Sequence, residues 1–350
     1  MRSVLLTLAM TLLAQPLHAQ SPSATLAWWS KVTAGTDHHA FTDLVHYRDH
    51  YYLCFRTGQS HNSMDGAVTI LRSPDMRTWA HQKTIKTLGD DRDPHFALAG
   101  DRLYVYFGVW DTIHGEGAKP PQRNKVRSHA VWTEDGETWS DVAGLYEPGW
   151  WLWRVRHLGD AFYSAAYTAL RPVPDARETR LLRSEDGLNW ELVSTVTRSH
   201  MCGEADFWKR PDGSLAMLSR TGGSNPARLF TSDAAHATWN DAELSEMVHS
   251  PAMAFWKDRA FVAGRGQRDG KSVTKLWELR DNDLVELLVL PSGGDTGYPG
   301  LLTIPESLEE DAPRFYISWY SQVDVATGER EAGHGAGVYV GEVRIAADRQ

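Results

Sequence analysis

A short motif occurs four times along the chain, and this repetition constrains the fold more than any other feature. Each copy has Ser or Thr, any residue, and Asp, followed a few residues later by Thr-Trp or Asn-Trp. The copies span residues 73–79, 133–139, 184–190 and 232–239, and the last is one residue longer than the others. Their aspartates, at 75, 135, 186 and 233, are 60, 51 and 47 residues apart, a spacing typical of the blades of a β-propeller.

The residues of the motif predict a tight turn. An Asp side chain can accept hydrogen bonds from backbone N–H groups, and a Gly such as Gly136 or Gly187 tolerates a positive φ angle. A strand-like segment such as 67–72 precedes the motif, and we expect the Trp that follows it to pack between neighbouring blades. The motif is therefore predicted to be structural.

The strand pattern predicts the number of blades independently of the motif. Inner strands are predicted to begin near six positions: Phe41, Asp93, Trp151, Glu204, Pro251 and Tyr298. The last blade is one strand short, and residues 26–32 can supply the missing strand, which would close the ring and remove an exposed edge. The predicted fold is an all-β, six-bladed β-propeller closed by an N-terminal strand.

Composition narrows the class of function. The 36 basic and 45 acidic residues give a net charge of −9, which argues against nucleic-acid binding. With 42% hydrophobic and 23% charged residues, the chain is typical of a folded globular protein. Fifteen Trp residues are unusual, and aromatic residues suit both β-structure and sugar-binding surfaces.

The N-terminus predicts export. Residues 1–19 have a basic Arg2, an apolar run over 4–14 and the small residue Ala19, as in a cleavable signal peptide. We expect one domain over residues 20–350, secreted or periplasmic, monomeric and without a membrane span. Cys54 and Cys202 are too few for a disulfide scaffold and are predicted to be free and buried.

Propeller topology predicts where a binding site would lie. The loop before each inner strand and the loop after each second strand open on one face of the ring, which we call the mouth. Arg56, Arg220 and Arg265 follow second strands at equivalent positions and are predicted to bind one acidic group together. Other residues predicted to contact a substrate there are Asp43, His61, Arg92, Trp153 and Asp295. No HExxH or Cys/His spacing is present, so neither a metal nor a cofactor is predicted.

The four motifs resemble the Asp-boxes of the sialidase (neuraminidase) superfamily, whose members are β-propellers with the boxes on the face away from the active site. Three further segments resemble catalytic segments of that family: Gly203-Glu204 with Arg220, Arg92-Asp93-Pro94, and the run from Ser292 to Tyr298. The resemblance implies that Tyr298 is the nucleophile, Glu204 its base and Asp93 the acid/base, with arginines binding the carboxylate of the sugar.

The chain departs from that family in blade one, where Phe41-Thr42-Asp43 stands in place of an Arg-Ile-Pro whose Arg binds the sugar carboxylate. Arg56 or Arg92 would have to substitute for it. The resemblance implies an exo-acting hydrolase that removes a terminal, acidic sugar from glycans.

Two alternatives remain open. A propeller polysaccharide lyase would use a base to remove the proton next to a uronate carboxylate. The residues that could serve as this base are Tyr298, His38, His39, His61 and His95. A glycan-binding propeller would need no catalytic pair, and fold analogy does not decide among these functions.

Overall fold

The computed structural model describes residues 24–111, 126–168 and 177–347, and the predicted signal peptide lies outside them. Six four-stranded antiparallel sheets form a ring, which confirms the predicted six-bladed β-propeller. A single helical turn, the 3-10 helix Pro305–Glu309, occurs in the described residues, and no helix among them is long and apolar enough to cross a membrane. Cys54 and Cys202 are free and buried, as predicted.

Each blade contains four strands, numbered along the chain. Blade one has β2 (His38–Tyr47), β3 (His50–Gly58), β4 (Ala67–Ser73) and β5 (Ala80–Ile85). Blade two has β6 (Asp90–Ala99), β7 (Arg102–Trp110), β8 (Val126–Thr133) and β9 (Ala143–Leu145). Blade three has β10 (Trp150–Leu158), β11 (Ala161–Thr168), β12 (Thr179–Ser184) and β13 (Glu191–Thr197). Blade four has β14 (Ala205–Lys209), β15 (Leu215–Ser219), β16 (Arg228–Ser232) and β17 (Trp239–Glu243). Blade five has β18 (His249–Trp256), β19 (Arg259–Arg268), β20 (Lys271–Arg280) and β21 (Asp283–Val289). Blade six has β22 (Thr296–Thr303), β23 (Arg314–Ser321) and β24 (Gly337–Ile345), with β1 (Ala24–Lys31) as its outer strand.

The first and last strands close the ring. β1 pairs antiparallel with β24, from Ala24 opposite Ile345 to Lys31 opposite Tyr339. This pairing supplies the fourth strand of blade six, as the sequence predicted, and it covers the edge of β24. Because blade six contains both the first and the last strand of the chain, backbone hydrogen bonds between β1 and β24 hold the ring closed.

The core lies between blades. Inner strands such as β2 and β6 are buried along almost their whole length, since blades cover both of their faces. Separate apolar clusters fill successive blade interfaces. The motif tryptophans pack at these interfaces, as predicted: Trp79, Trp139, Trp190 and Trp239.

The aspartate of each motif binds the backbone of its own turn. Asp135 Oδ1 accepts hydrogen bonds from the N–H groups of Glu137 (2.8 Å) and Thr138 (2.7 Å), and Asp75 binds its turn in the same way. Gly136 has a φ of 80°, and a Cβ there would lie 2.1 Å from the Tyr52 hydroxyl. The turns follow third strands, which run away from the mouth.

A β-bulge interrupts five of the six inner strands near the mouth. In each, two residues lie opposite one residue of the second strand. The bulged pairs are Phe41-Thr42, Asp93-Pro94, Trp153-Arg154, Ser250-Pro251 and Tyr298-Pro299. In four of them the first residue has a positive φ of 46–60°, a strained conformation for a residue other than Gly. The bulges therefore bring side chains from different blades together at the centre of the ring.

Candidate active site

Tyr298 and Glu204 come from blades six and four and meet at the mouth. The Tyr298 hydroxyl donates a hydrogen bond of 2.7 Å to Glu204 Oε1. Arg220 Nη1 donates to the same carboxylate oxygen and also to the Tyr298 hydroxyl, at 3.1 Å. The pair predicted from the sequence is thus in contact, and one guanidinium binds both of its members.

The surroundings of Glu204 favour its ionised form. Its second oxygen, Oε2, accepts a 2.8 Å hydrogen bond from the backbone N–H of Ser250 in the blade-five bulge. Burial alone would raise the pKa of Glu204, but Arg220, His249 and the Tyr298 hydroxyl outweigh burial and hold this pKa below its ordinary value. The carboxylate can therefore accept a proton from the phenol.

Tyr298 is a neutral phenol at physiological pH. Burial, followed by the negative charge of Glu204, raises the pKa of Tyr298 further above its ordinary value. The guanidinium of Arg265 lies over the phenol ring, with its central carbon 4.9 Å from the ring centroid. Gly297 permits this approach, since a Cβ there would lie 2.6 Å from Cβ of Arg265.

Asp93 lies in the blade-two bulge beside Arg92. Burial raises the pKa of Asp93 to about 7, against the opposing effect of Arg92, whose Nε is 3.2 Å from Asp93 Oδ2. The other oxygen, Oδ1, is buried and makes no hydrogen bond with the described residues. Arg92 is itself held by Asp90 and Asn62. A carboxyl group that titrates near neutral pH suits general acid/base chemistry.

Asp295 links Arg265 to two histidines. Its Oδ1 accepts hydrogen bonds from Arg265 Nη2 (2.8 Å) and the Tyr320 hydroxyl (2.7 Å), while His38 and His61 contact its Oδ2. Burial would raise the pKa of Asp295, but the two histidines and Arg265 hold it well below its ordinary value. Asp295 and His61 therefore lie in one cluster with Arg265, and their contact with a substrate stays a prediction.

Arg56 does not lie with the other two arginines, contrary to our expectation. Its side chain is 0% exposed, and its Nε donates a 2.6 Å hydrogen bond to the buried Asp90. Its terminal nitrogens bind Ser60 and Ser63 of the loop that follows β3. A guanidinium bound in this way has no face left for a ligand, so Arg56 orders the loop instead.

Two more of the residues expected to contact substrate lie beneath the mouth. Asp43 is buried and forms a 3.0 Å ion pair with Arg154. Trp153 is 1% exposed and packs edge-on against Tyr298, with ring centroids 6.2 Å apart. Both support the site from below, and neither has exposed surface to offer a sugar.

The sequence predicted no catalytic or substrate-binding role for Arg154 or Tyr320, and it indicated His38 only as a possible base of a lyase. Arg154 holds Asp43 and two bulge carbonyls, and the other two surround Asp295. A usable sequence signal exists at the bulges, because Asp93, Ser250 and Tyr298 are each followed by Pro. These prolines mark equivalent positions near the mouth. In the bulge of blade three, Arg154 occupies the position that the proline has in the other three blades.

Comparison with known proteins supports the fold. No family model matches the chain, and no curated protein matches its sequence. A solved protein of unknown function from Dyadobacter fermentans is similar with a TM-score of 0.75 at 17% identity, covering 93% of this chain and 100% of that one. The Trypanosoma rangeli sialidase in complex with the inhibitor DANA has a TM-score of 0.64 at 14% identity, covering 88% of this chain and 55% of the sialidase. The Hadza microbial sialidase Hz136 has a TM-score of 0.62 at 14% identity, with 89% and 66% covered.

These likenesses establish a shared propeller fold at low sequence identity. The chain spans about half of the length of the Trypanosoma rangeli sialidase. Among the solved structures of this fold are glycoside hydrolases of the sialidase type, but a fold carries many functions, so activity has to be argued from the site.

Proposed function

We propose that this protein is a sialidase-like glycoside hydrolase that removes a terminal, acidic sugar from glycans. The observation that carries the proposal is the 2.7 Å hydrogen bond from the Tyr298 hydroxyl to Glu204, with Arg220 bound to both. A phenol bound to an ionised carboxylate is a nucleophile paired with its base. Tyr is the nucleophile of sialidases among the glycosidases.

In the proposed first step, the Tyr298 oxygen bonds to the anomeric carbon while its proton passes to Glu204. The glycosidic bond breaks, and the leaving oxygen takes its proton from Asp93. In the second step, Asp93 removes a proton from water, the water oxygen bonds to the anomeric carbon, and Glu204 returns the proton to the departing phenol oxygen. The unbound oxygen of Asp93, with a pKa of about 7, suits both roles.

The acid group of the sugar would bind Arg220 and Arg265. Their side chains are 28% and 16% exposed, so each retains surface at the mouth beside Tyr298. Arg92 is the third candidate and adjoins Asp93, although it is only 4% exposed. Guanidinium groups hold carboxylates by charge-assisted hydrogen bonds, and a neutral phenol avoids the repulsion that a carboxylate nucleophile would meet.

A hydrolase agrees with the site better than a lyase does. A lyase base must lose its proton first, but burial and the charge of Glu204 raise the pKa of Tyr298. Both His38 and His61 are bound to Asp295. His39 is buried against Thr57, and His95 is buried within the ring.

The products from a panel of acidic glycans test the proposal. A new reducing end without new ultraviolet absorbance, lost in Tyr298→Phe, is the expected result. A new absorbance from an unsaturated uronate would indicate a lyase, and binding without any product would indicate a lectin-like protein. We also infer export from residues 1–19, which N-terminal sequencing of the mature protein would test.

A further inference from the structure

Beside the mouth, two histidines and an aspartate from three separate segments lie with potential metal-binding atoms close together. His38 Nε2 lies 2.9 Å from Asp295 Oδ2, and His61 Nδ1 contacts the same oxygen. All three atoms lie within 4.8 Å of one another. We propose that His38, His61 and Asp295 bind one divalent metal ion of the zinc type.

The donor set matches the chemistry of such an ion. Zn²⁺ is commonly bound by two imidazoles and one carboxylate, with a further position open to water or a ligand. Metal–ligand bonds of about 2.1 Å place neighbouring donor atoms roughly 3.4 Å apart in a tetrahedral site. His38 Nε2 lies 2.9 Å and His61 Nδ1 2.5 Å from Asp295 Oδ2, so both imidazoles have to move outward, by roughly 0.5 and 0.9 Å, to admit an ion.

The contacts around Asp295 orient it as a ligand. Arg265 and the Tyr320 hydroxyl both bind Oδ1, which leaves the lone pairs of Oδ2 directed towards the two histidines. Hydrogen bonds to the far oxygen of a ligating carboxylate are a usual feature of metal sites. The positive charge of Arg265 opposes a cation, so we expect a weaker affinity than that of a structural zinc site.

The cluster is fixed on one side and open on the other. The His38 side chain is 0% exposed, and its ring packs against Phe41 and Tyr320. Asp295 is 17% exposed and the side chain of His61 42% exposed, so the cluster reaches solvent through His61. The solvent path to the cluster therefore lies on the side of His61.

The position of the cluster assigns the ion a role in binding an acidic sugar. Arg265 binds Asp295 and also lies over the ring of Tyr298, so the cluster adjoins the proposed reaction centre. A bound cation would add positive charge to the side of the mouth where blade one offers the apolar Phe41. The binding of the metal does not depend on the proposed function, whereas a role in holding an acidic sugar does.

Residue spacing in the sequence predicted no metal, and the separation of the ligands explains why. His61 lies 234 residues before Asp295, and His38 lies 257 residues before it. Only closure of the ring, which sets blade one beside blade six, brings the three together.

Metal uptake by the whole protein, purified without a tag, tests the inference. The protein is stripped with a chelator and dialysed against Zn²⁺ or Co²⁺. Metal content is then measured by mass spectrometry, and the visible spectrum of the Co²⁺ form is recorded. We expect one equivalent of metal per chain, and loss of both the metal and the Co²⁺ bands in His61→Ala and in Asp295→Asn.

His81→Ala is the matched control. The imidazole of His81 is exposed on β5, away from the cluster, and forms a hydrogen bond with the Thr84 side chain. This variant should keep the full equivalent. Failure of the wild-type protein to bind stoichiometric metal would overturn the inference, as would unchanged uptake by a folded His61→Ala protein. Since uptake is measured without substrate, a protein that binds metal but cleaves no glycan contradicts the proposed function alone.

Discussion

Arg154 and Asp43 form a buried ion pair at the centre of the ring, with Arg154 Nη1 3.0 Å from Asp43 Oδ1. Arg154 also donates hydrogen bonds to the carbonyl oxygens of Pro251 (2.9 Å) and Pro299 (2.8 Å). The second oxygen of Asp43 accepts a hydrogen bond of 2.9 Å from the N–H of Phe96. One ion pair thus joins five of the six blades.

Two of these contacts, those to Pro251 and Pro299, lie next to residues of the candidate site. Pro299 follows Tyr298, and Pro251 follows Ser250, whose N–H group binds Glu204. Because these neighbours are in strained bulges, their positions depend on contacts that hold the backbone. We infer that the ion pair sets the spacing of the reactive groups.

Removing the charge of Asp43 should therefore destabilise the protein strongly. Asp43→Asn removes the nearer counter-charge of the buried Arg154 guanidinium and leaves only Asp206, 3.8 Å from Arg154 Nε. Removing one partner of a buried ion pair costs about 3–5 kcal/mol. Urea unfolding measures the change. Glu134→Gln is the control, since it breaks the exposed pair with Arg102 and should cost at most about 1 kcal/mol. Equal losses in the two variants would contradict a structural role for Asp43.

Tyr298→Phe tests the proposed nucleophile. The variant keeps the ring and its packing but loses the oxygen, so we expect turnover to fall by about 10³-fold or more, the scale seen when one member of a catalytic group is removed. Arg220 still binds Glu204, so stability should change by only about 1 kcal/mol. Tyr51→Phe, on the second strand of blade one, is the control and should keep full activity. Substantial turnover by Tyr298→Phe would exclude the mechanism.

Asp135→Ala tests the motif of blade two. The substitution removes two backbone hydrogen bonds and the contact with Thr133, so the urea midpoint should fall while substrate affinity of the folded protein stays unchanged. These bonds hold the pKa of Asp135 below its ordinary value, so this stabilisation is present at neutral pH and is lost as pH falls through the lowered pKa. Asp141→Ala, in the same blade, should change neither property. A changed substrate affinity would contradict the expectation that the motif lies on the face of the ring opposite the site.

The fold could be predicted from the sequence because propeller blades repeat locally. The strand, the Asp turn and the Trp are consecutive in sequence, as over residues 67–79 in blade one. Four of the six blades can therefore be recognised without long-range information. The missing strand of blade six was predictable for a similar reason, since an open edge is unfavourable.

The site was predictable only in part. Tyr298 and Glu204 could be placed at the mouth because both lie near the start of inner strands, a position that topology fixes, whereas their roles came from the family resemblance. The role of Arg56 was not predictable from its equivalent position, because its partner Asp90 lies 34 residues away in the next blade. Burial and partner choice are set by contacts between blades, which the repeat does not encode.

The pH dependence of activity tests the role of Asp93. Asp93 must be protonated to act as the acid, and its pKa is raised to about 7, so kcat/KM should fall as pH rises through about 7. Asp93→Asn should lose this dependence and about 10²–10⁴-fold of its rate on substrates with a poor leaving group. The loss of kcat/KM should be much smaller with a nitrophenol leaving group, which departs without protonation, whereas kcat should stay low because the second step still needs Asp93 as a base. If kcat/KM of Asp93→Asn still fell as pH rises through about 7, this pH dependence would belong to another residue.

The same carboxyl group should make stability depend on pH. Its folded-state pKa of about 7 lies above the unfolded value of about 3.9, so the folded state holds the proton more tightly. Its contribution to stability is complete below about pH 4 and is lost as pH rises to about 7. Asp93→Asn carries no proton to lose, so the variant should gain stability relative to the wild-type protein across that window. Urea midpoints of both proteins, measured at several pH values, should diverge from acid to neutral pH. Parallel curves would mean that Asp93 is already ionised in the folded protein, and Asp93 could not then supply the proton to a leaving group.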